Sequence, residues 1–225
     1  VDVREFEREA KRVLREVEKE CGWMYETLHT VSGKVQYEFD GTLRKGKINY
    51  IVWSDVFVCS NCANELVFWD VAVDEETGKV KDEFQCNGCG AIHKKTGLER
   101  AMTTIYDDSL EENIQVAKRV PVLINYFIGR TRYSKKPDDY DFEVLERINA
   151  TKILYWFPTD KIEKGDKTGE PLRIGITHVH HFYTKRNLKT RSTFSIQSNN
   201  LEKKNRNLMK CILQSCLFHL SFLNR

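Results

Sequence analysis

Cys59-Ser-Asn-Cys62 and Cys86-Asn-Gly-Cys89-Gly90 are the stretches from which this chain is best read. Each is a CxxC pair, and 23 residues lie between Cys62 and Cys86. A zinc ion takes four ligands in a tetrahedron, and each CxxC turn aims two thiolates at one point. Gly88 and Gly90 supply backbone freedom to the second knuckle. The intervening residues suffice for a two-stranded hairpin that brings the knuckles together, so the pattern predicts a zinc ribbon. Two disulfides, or a redox-active CxxC, are the competing readings. With all four positions filled by Cys59, Cys62, Cys86 and Cys89, one zinc would be structural rather than catalytic.

Outward from the knuckles, residues 56–58 lead in as a strand. Residues 65–74 alternate as a strand, Glu75-Glu-Thr-Gly78 reads as a turn and 79–85 as a returning strand. Ser109 with Glu112 three residues later has the form of a capping box, predicting a helix over 109–119. Residues 120–128 are strand-like, 141–150 helical, 151–157 extended, and 164–171 a polar loop. Residues 174–183 form a β-like run. At the N-terminus, Phe6, Ala10, Val13, Leu14, Val17, Cys21 and Met24 recur at helical spacing, with Gly22 to end the helix. Short strands are expected over 34–39 and 47–53, around the turn-prone Asp40-Gly41. A last helix is expected over 201–220. The fold class that follows is α+β: a ribbon among short antiparallel strands, flanked by terminal helices. The domain division expected is 1–53, 54–107 for the ribbon, and 108–225.

The chain has 225 residues, enough for a core of one or two domains, and 40% of them are hydrophobic. No apolar run approaches a membrane span and nothing resembles a signal peptide. A cytoplasmic protein is therefore expected, in which reducing conditions favour thiolates on metal. Cys21, Cys211 and Cys216 fall on apolar helix faces, where cysteine acts as a small buried hydrophobe. Trp53, Trp69 and Trp156 lie in strand patterns and are expected in the core. The absence of an initial Met suggests a piece of something longer.

The net charge of +3 conceals an asymmetry. Residues 184–225 carry nine Lys/Arg against Glu202 alone, a net +8, so the rest sums to −5. Such polarity suits a polyanionic partner, with a solvated helix face as the bland alternative. Tyr183, Lys185 and Arg186 set an aromatic beside two cations at a helix start, with Lys189 and Arg191 close by. These five are the candidate DNA contacts. His178, His180 and His181 are the chain's one histidine cluster. A second metal there would need a third ligand type nearby, so packing or polar contacts are the expected role. Residues 164–169, Lys-Gly-Asp-Lys-Thr-Gly, lack the order of a phosphate loop.

Ile48-Asn-Tyr-Ile-Val-Trp-Ser-Asp-Val-Phe-Val-Cys59-Ser-Asn-Cys62 and Gly175-Ile-Thr-His-Val-His-His-Phe-Tyr-Thr-Lys-Arg-Asn-Leu188 resemble the zinc-ribbon-bearing, site-specific adenine DNA methyltransferases of bacteria and archaea. The resemblance covers most of the chain. It implies a Rossmann-like catalytic fold, transfer of a methyl group from S-adenosylmethionine to a base nitrogen, and DNA modification of the restriction-modification kind. The chain lacks the Asp-Pro-Phe-x-Gly-x-Gly type cofactor motif and the Asp/Asn-Pro-Pro-Tyr/Phe tetrapeptide. Ile124-Asn-Tyr-Phe127 has no prolines. No catalytic or cofactor-binding residue carries over, and S-adenosylmethionine is implied only for the complete enzyme. The resemblance thus implies an intervening region of a split or truncated methyltransferase, with DNA and the missing catalytic portions as partners. A free-standing zinc-ribbon nucleic-acid-binding protein and a protein-interaction module are the alternatives.

Overall fold

The computed structural model describes residues 2–74 and 77–220, the side chains of 212–220 excepted. In chain order come α1 (Val3–Cys21), a 3-10 turn (Gly22–Tyr25), β1 (Glu26–Leu28), β2 (Thr30–Val31), β3 (Lys34–Val35) and the long β4 (Lys45–Val58). Next are β5 (Glu65–Val67), α2 (Phe68–Ala72), β6 (Phe84–Gln85), β7 (Ile92–His93) and β8 (Glu99–Arg100). Then follow β9 (Met102–Asp107), β10 (Glu112–Ala117), β11 (Arg119–Ile128) and β12 (Thr131–Lys135). The chain closes with α3 (Asp139–Ala150), α4 (Gly169–Arg173), α5 (Lys185–Asn199) and α6 (Lys203–Leu220). The architecture is α+β, and its β-pairings are antiparallel. Among the described residues, no helix is long and apolar enough to cross a membrane.

Two compact units form. Unit 1 combines residues 1–47, 138–163 and 176–225; unit 2 combines 48–137 and 164–175.

Unit 1 is held by helices. Asp2 caps α1 by accepting from the Arg4 and Glu5 N–H groups, and the helix ends where the Gly22 N–H bonds Glu18 O. Its buried stripe of Val13, Val17 and Cys21 packs with Met24, Val144, Ile148, Leu201 and Met209. The stripe is narrower than its spacing suggests, because Leu14 is 55% exposed. Asp138 and Asp141 close a capping box at the start of α3. Asp141 is buried, and Thr27 Oγ1 donates to its Oδ1 at 2.5 Å. β1 pairs with Lys45–Lys47 at the start of β4.

Unit 2 is built on the rest of β4, which neighbours β5, β8 and β11; β12 lies outside β11. Several elements differ here from their sequence patterns. Residues 109–119 form no helix: β9 and β10 make a hairpin from Met102↔Ala117 to Asp107↔Glu112. Asp107 Oδ1 accepts from the Ser109 and Leu110 N–H groups at 2.8 and 3.2 Å, and Glu111 adopts a left-handed φ of 55°. Ser109 is thus a donor in an Asx turn rather than a helix cap. Strand β12, read as nothing in the sequence, pairs with β11 from Ile128↔Thr131 to Ile124↔Lys135. The expected strand 65–74 stops at Val67, where the Trp69 N–H bonds Ser54 Oγ and α2 begins. That helical turn buries Ala72 and seats Phe68 edge-on between Phe57 and Phe84, each 5.7 Å away. Of the expected turn 75–78, Glu75 and Glu76 lie outside the described residues.

In unit 1, residues 176–183 are not a strand beyond one bridge, Lys161↔His178. Val179–Phe182 is a 3-10 turn that sets the imidazoles edge to face, His180–His181 at 4.2 Å and His178–His181 at 5.3 Å between centroids. The Thr177 N–H donates to His181 Nδ1 at 3.2 Å, and its Oγ1 lies 3.0 Å from His178 Nδ1. The histidine rings pack on one another, and Thr177 bonds two of them, His178 and His181. Trp156, expected in the core, is 81% exposed on an extended segment without a strand partner. Cys21 is buried as expected, whereas Cys211 is exposed and the Cys216 side chain lies outside the described residues.

Candidate metal centre

The two knuckles share one local design. In the first, the Cys59 N–H bonds Asn64 O and the Ala63 N–H bonds Cys59 O, both at 2.9 Å. In the second, Cys86 N–H to Ala91 O and Gly90 N–H to Cys86 O repeat the pattern at the same length. The residue after each second cysteine is left-handed: Ala63 at φ 57° and Gly90 at φ 74°. Gly90 serves the freedom its position requires. Gly88 does not; its value is space, since an added Cβ would come within 3.2 Å of the Asn64 side-chain nitrogen. Asn64 in turn donates to Asn87 Oδ1 at 2.9 Å, tying the knuckles together.

Each knuckle sits at the tip of its own hairpin. Cys59–Cys62 joins β4 to β5, paired from Val56↔Val67 to Val58↔Glu65. Cys86–Cys89 joins β6 to β7, paired Phe84↔His93 and Gln85↔Ile92. Between the knuckles the chain does reverse at the expected turn, with the antiparallel bridge Val73↔Val80 and bonds from Asp74 N–H to Lys79 O and Lys81 N–H to Ala72 O, but this short pairing does not run through to the cysteines. Each CxxC folds with the strands that flank it, and α2 fills the space between.

The four sulfurs converge, all within 4.8 Å of one another. Cys59 Sγ lies 3.8 Å from Cys89 Sγ, and Cys62 Sγ lies 3.7 Å from Cys86 Sγ. A regular tetrahedron with zinc–sulfur bonds of about 2.3 Å has edges of about 3.8 Å. Disulfide sulfurs lie about 2 Å apart. The spacing therefore fits a zinc-ribbon-like site, with the thiols free and each close pair spanning the two knuckles. Cys59, Cys62, Cys86 and Cys89 would hold one zinc, which would cross-link the hairpins. Cys59 and Cys86 are buried beside Leu66, Ala72 and Phe84, while Cys62 and Cys89 face solvent.

Hydrogen-bond donors surround the sulfurs. Asn61 Nδ2 donates to Cys89 Sγ and the Gly88 N–H to Cys86 Sγ, each at 3.3 Å. The Asn61 amide, with the Ala91 N–H, lowers the Cys89 thiol to about 6. The Asn64 N–H favours a Cys62 thiolate, but the neighbouring Cys89 sulfur and burial push that thiol up to about 12. A divalent cation relieves this competition by favouring all four thiolates together. His93, which the reading of the sequence passed over, brings its Nε2 to 3.1 Å from Cys59 Sγ. The signal available for it was its position four residues after Cys89.

The candidate DNA contacts occupy a different environment from the one their sequence suggests. Thr184 caps α5 by accepting from the Asn187 N–H. Lys185 Nζ donates to Asn149 O at 2.6 Å, and the Arg191 guanidinium lies 5.2 Å over the Tyr183 ring. Arg186 is buried, its guanidinium 5.3 Å over the Tyr25 ring, and burial lowers its pKa. Arg186 is thus a core residue rather than a phosphate contact. Tyr183, Lys185, Lys189 and Arg191 are only partly exposed. Among the described residues, the open cations of the C-terminal segment are Lys203, Lys204 and Lys210 on α6.

Comparison with protein-family models, with curated proteins and with solved structures finds no match.

Proposed function

We propose that this chain is the internal zinc-ribbon region of a site-specific adenine DNA methyltransferase, with residues 54–107 as the ribbon. It engages DNA in the cytoplasm and is inert alone. The observation that carries this reading is the pair of stretches at 48–62 and 175–188. In the first, β4 runs directly into the Cys59 knuckle. In the second, Gly175 packs against β10, the histidines close a turn, and Thr184 opens α5. The cofactor cradle and the group that positions the target amine belong to the Rossmann-like portions that the complete enzyme would supply. The zinc supports the fold and leaves no open position for substrate.

Two outcomes test the reading. The isolated chain is expected neither to bind labelled S-adenosylmethionine nor to transfer its methyl group to DNA. Transfer by the chain alone would mean that the missing motifs are not the necessary ones. Duplex DNA is expected to bind weakly, through the exposed lysines of α6. Three phosphate contacts give a slope of about −2.7 in log affinity against log salt. Replacing Lys203 and Lys204 together by Ala should flatten that slope by about two units. No DNA binding at low salt, or an unchanged slope in the double variant, would remove α6 as the contact surface. Arg186→Ala would instead disturb the core, because Arg186 is buried.

A further inference from the structure

His93 lies outside the four-cysteine set, yet touches it. It stands on β7 directly opposite Phe84 of β6, with the two rings 6.5 Å apart between centroids. That pairing aims the imidazole across to the other hairpin, where Nε2 reaches Cys59 Sγ at 3.1 Å. The contact spans 34 residues of sequence and links the second knuckle's strand to the first knuckle's buried ligand.

The electrostatics of the site give this contact its meaning. Zinc with four thiolates carries a net charge of −2, and buried charge is costly unless hydrogen bonds compensate it. Cys62 and Cys89 face solvent, where water can serve. Cys86 is buried but accepts from the Gly88 N–H. Cys59 is 1% exposed against Leu66, Ala72 and Phe84, and the group facing its sulfur is the His93 ring.

We propose that His93 is a positioning residue of the metal centre, donating its Nε2–H to the Cys59 thiolate. The bond draws charge off that sulfur. It also couples the two hairpins through a tie that the metal then tightens. This role rests on the zinc reading above. Donating through Nε2–H, His93 is not itself a ligand. Residues beyond the ligands that orient metal-bound groups commonly change metal affinity by about 10–100-fold when replaced.

The experiment uses the whole chain loaded with zinc, and separately with cobalt as a spectroscopic probe. His93→Phe keeps a ring against Phe84 and removes the donor; His93→Gln keeps an N–H. In chelator competition His93→Phe is expected to weaken zinc binding about 10–100-fold, with stoichiometry still near one. Its thiolate-to-cobalt charge-transfer band should move to lower energy, and His93→Gln should recover part of both effects. An unchanged affinity and band in His93→Phe would reduce His93 to a packing residue and overturn the proposal alone. A cobalt spectrum of three sulfurs and one nitrogen in the wild type would make His93 a ligand, overturning it differently. Should His93→Phe fail to fold, nitrogen NMR of the wild-type ring decides. A proton on Nε2 in the zinc form is expected, and a metal-bound or unprotonated Nε2 overturns the role. Wild-type protein that takes up no metal would instead sink the zinc reading, and this proposal with it.

Discussion

Serine in place of Cys59 or Cys86 is expected to strip most of the zinc from the chain and loosen the small core around it. Wild-type protein should hold about one zinc per molecule when purified without chelator. The effect is large because this part of unit 2 has little else. Its buried cluster is Leu66, Ala72 and Phe84 with the two cysteines themselves, backed by Phe68, Val71 and Leu98. Structural zinc contributes about 10–16 kcal/mol of apparent binding free energy in small peptides at neutral pH, and that energy is also folding energy. Metal analysis with limited proteolysis between residues 59 and 93 would read both losses. Zinc-free protein carrying two intact disulfides by mass would overturn the expectation. So would a serine variant that keeps its full zinc.

The second large effect is expected at Gly175. Its φ of 85° is left-handed, and an added Cβ would stand 2.2 Å from Gln115 O and 2.7 Å from Val116 Cα. Both are backbone atoms of β10, which the Ala117 N–H to Ile174 O bond holds in place. No flexible side chain can move aside. Left-handed strain of about 1–2 kcal/mol and overpacking of about 1–3 kcal/mol give a loss of about 2–5 kcal/mol for Gly175→Ala. Against a total stability of about 5–15 kcal/mol for a typical domain, that is severe. Gly129→Ala is the control: its φ is 58° and nothing lies within 4 Å of the added Cβ. It should cost only the strain, about 1–2 kcal/mol. Denaturant midpoints at constant slope compare the two. Equal losses would mean that the approach to β10 is not a constraint.

What the sequence reveals of this protein is what short-range chemistry determines. The four cysteines are legible because each pair fixes its own turn, and the tetrahedral spacing follows from two such turns meeting. Helix α1 is legible from Val13, Val17 and Cys21, and α3 from the apolar spacing of Val144 and Ile148. The hairpin over 102–117 is not legible at its turn. Ser109 and Glu112 imitate a capping box, and only Asp107 accepting two backbone N–H groups shows that the serine is a donor. The turn of histidines is hidden for a similar reason. β-branched and aromatic neighbours suggest a strand, while the bond from Thr177 to His181 closes the chain on itself. Arg186 and His93 are harder still. Their environments are set by Tyr25 and Cys59, far away along the chain, and no local pattern encodes such partners.

The three-part composition of unit 1 bears on how the polypeptide leaves the ribosome. Helix α1 emerges long before its packing partners on α5: Cys21 Sγ meets Thr193 Oγ1 across 172 residues. At about 5–20 residues per second, the stripe of Val13, Val17 and Cys21 waits roughly 9–35 s for α5 to be made. During that interval unit 2 receives the whole of its 48–137 segment, including all four zinc ligands. The nascent chain thus carries a metal-assembling hairpin pair behind an unsatisfied amphipathic helix. Such a helix is an attractive client for ribosome-associated chaperones, and early chain termination would leave it exposed to aggregation rather than folded.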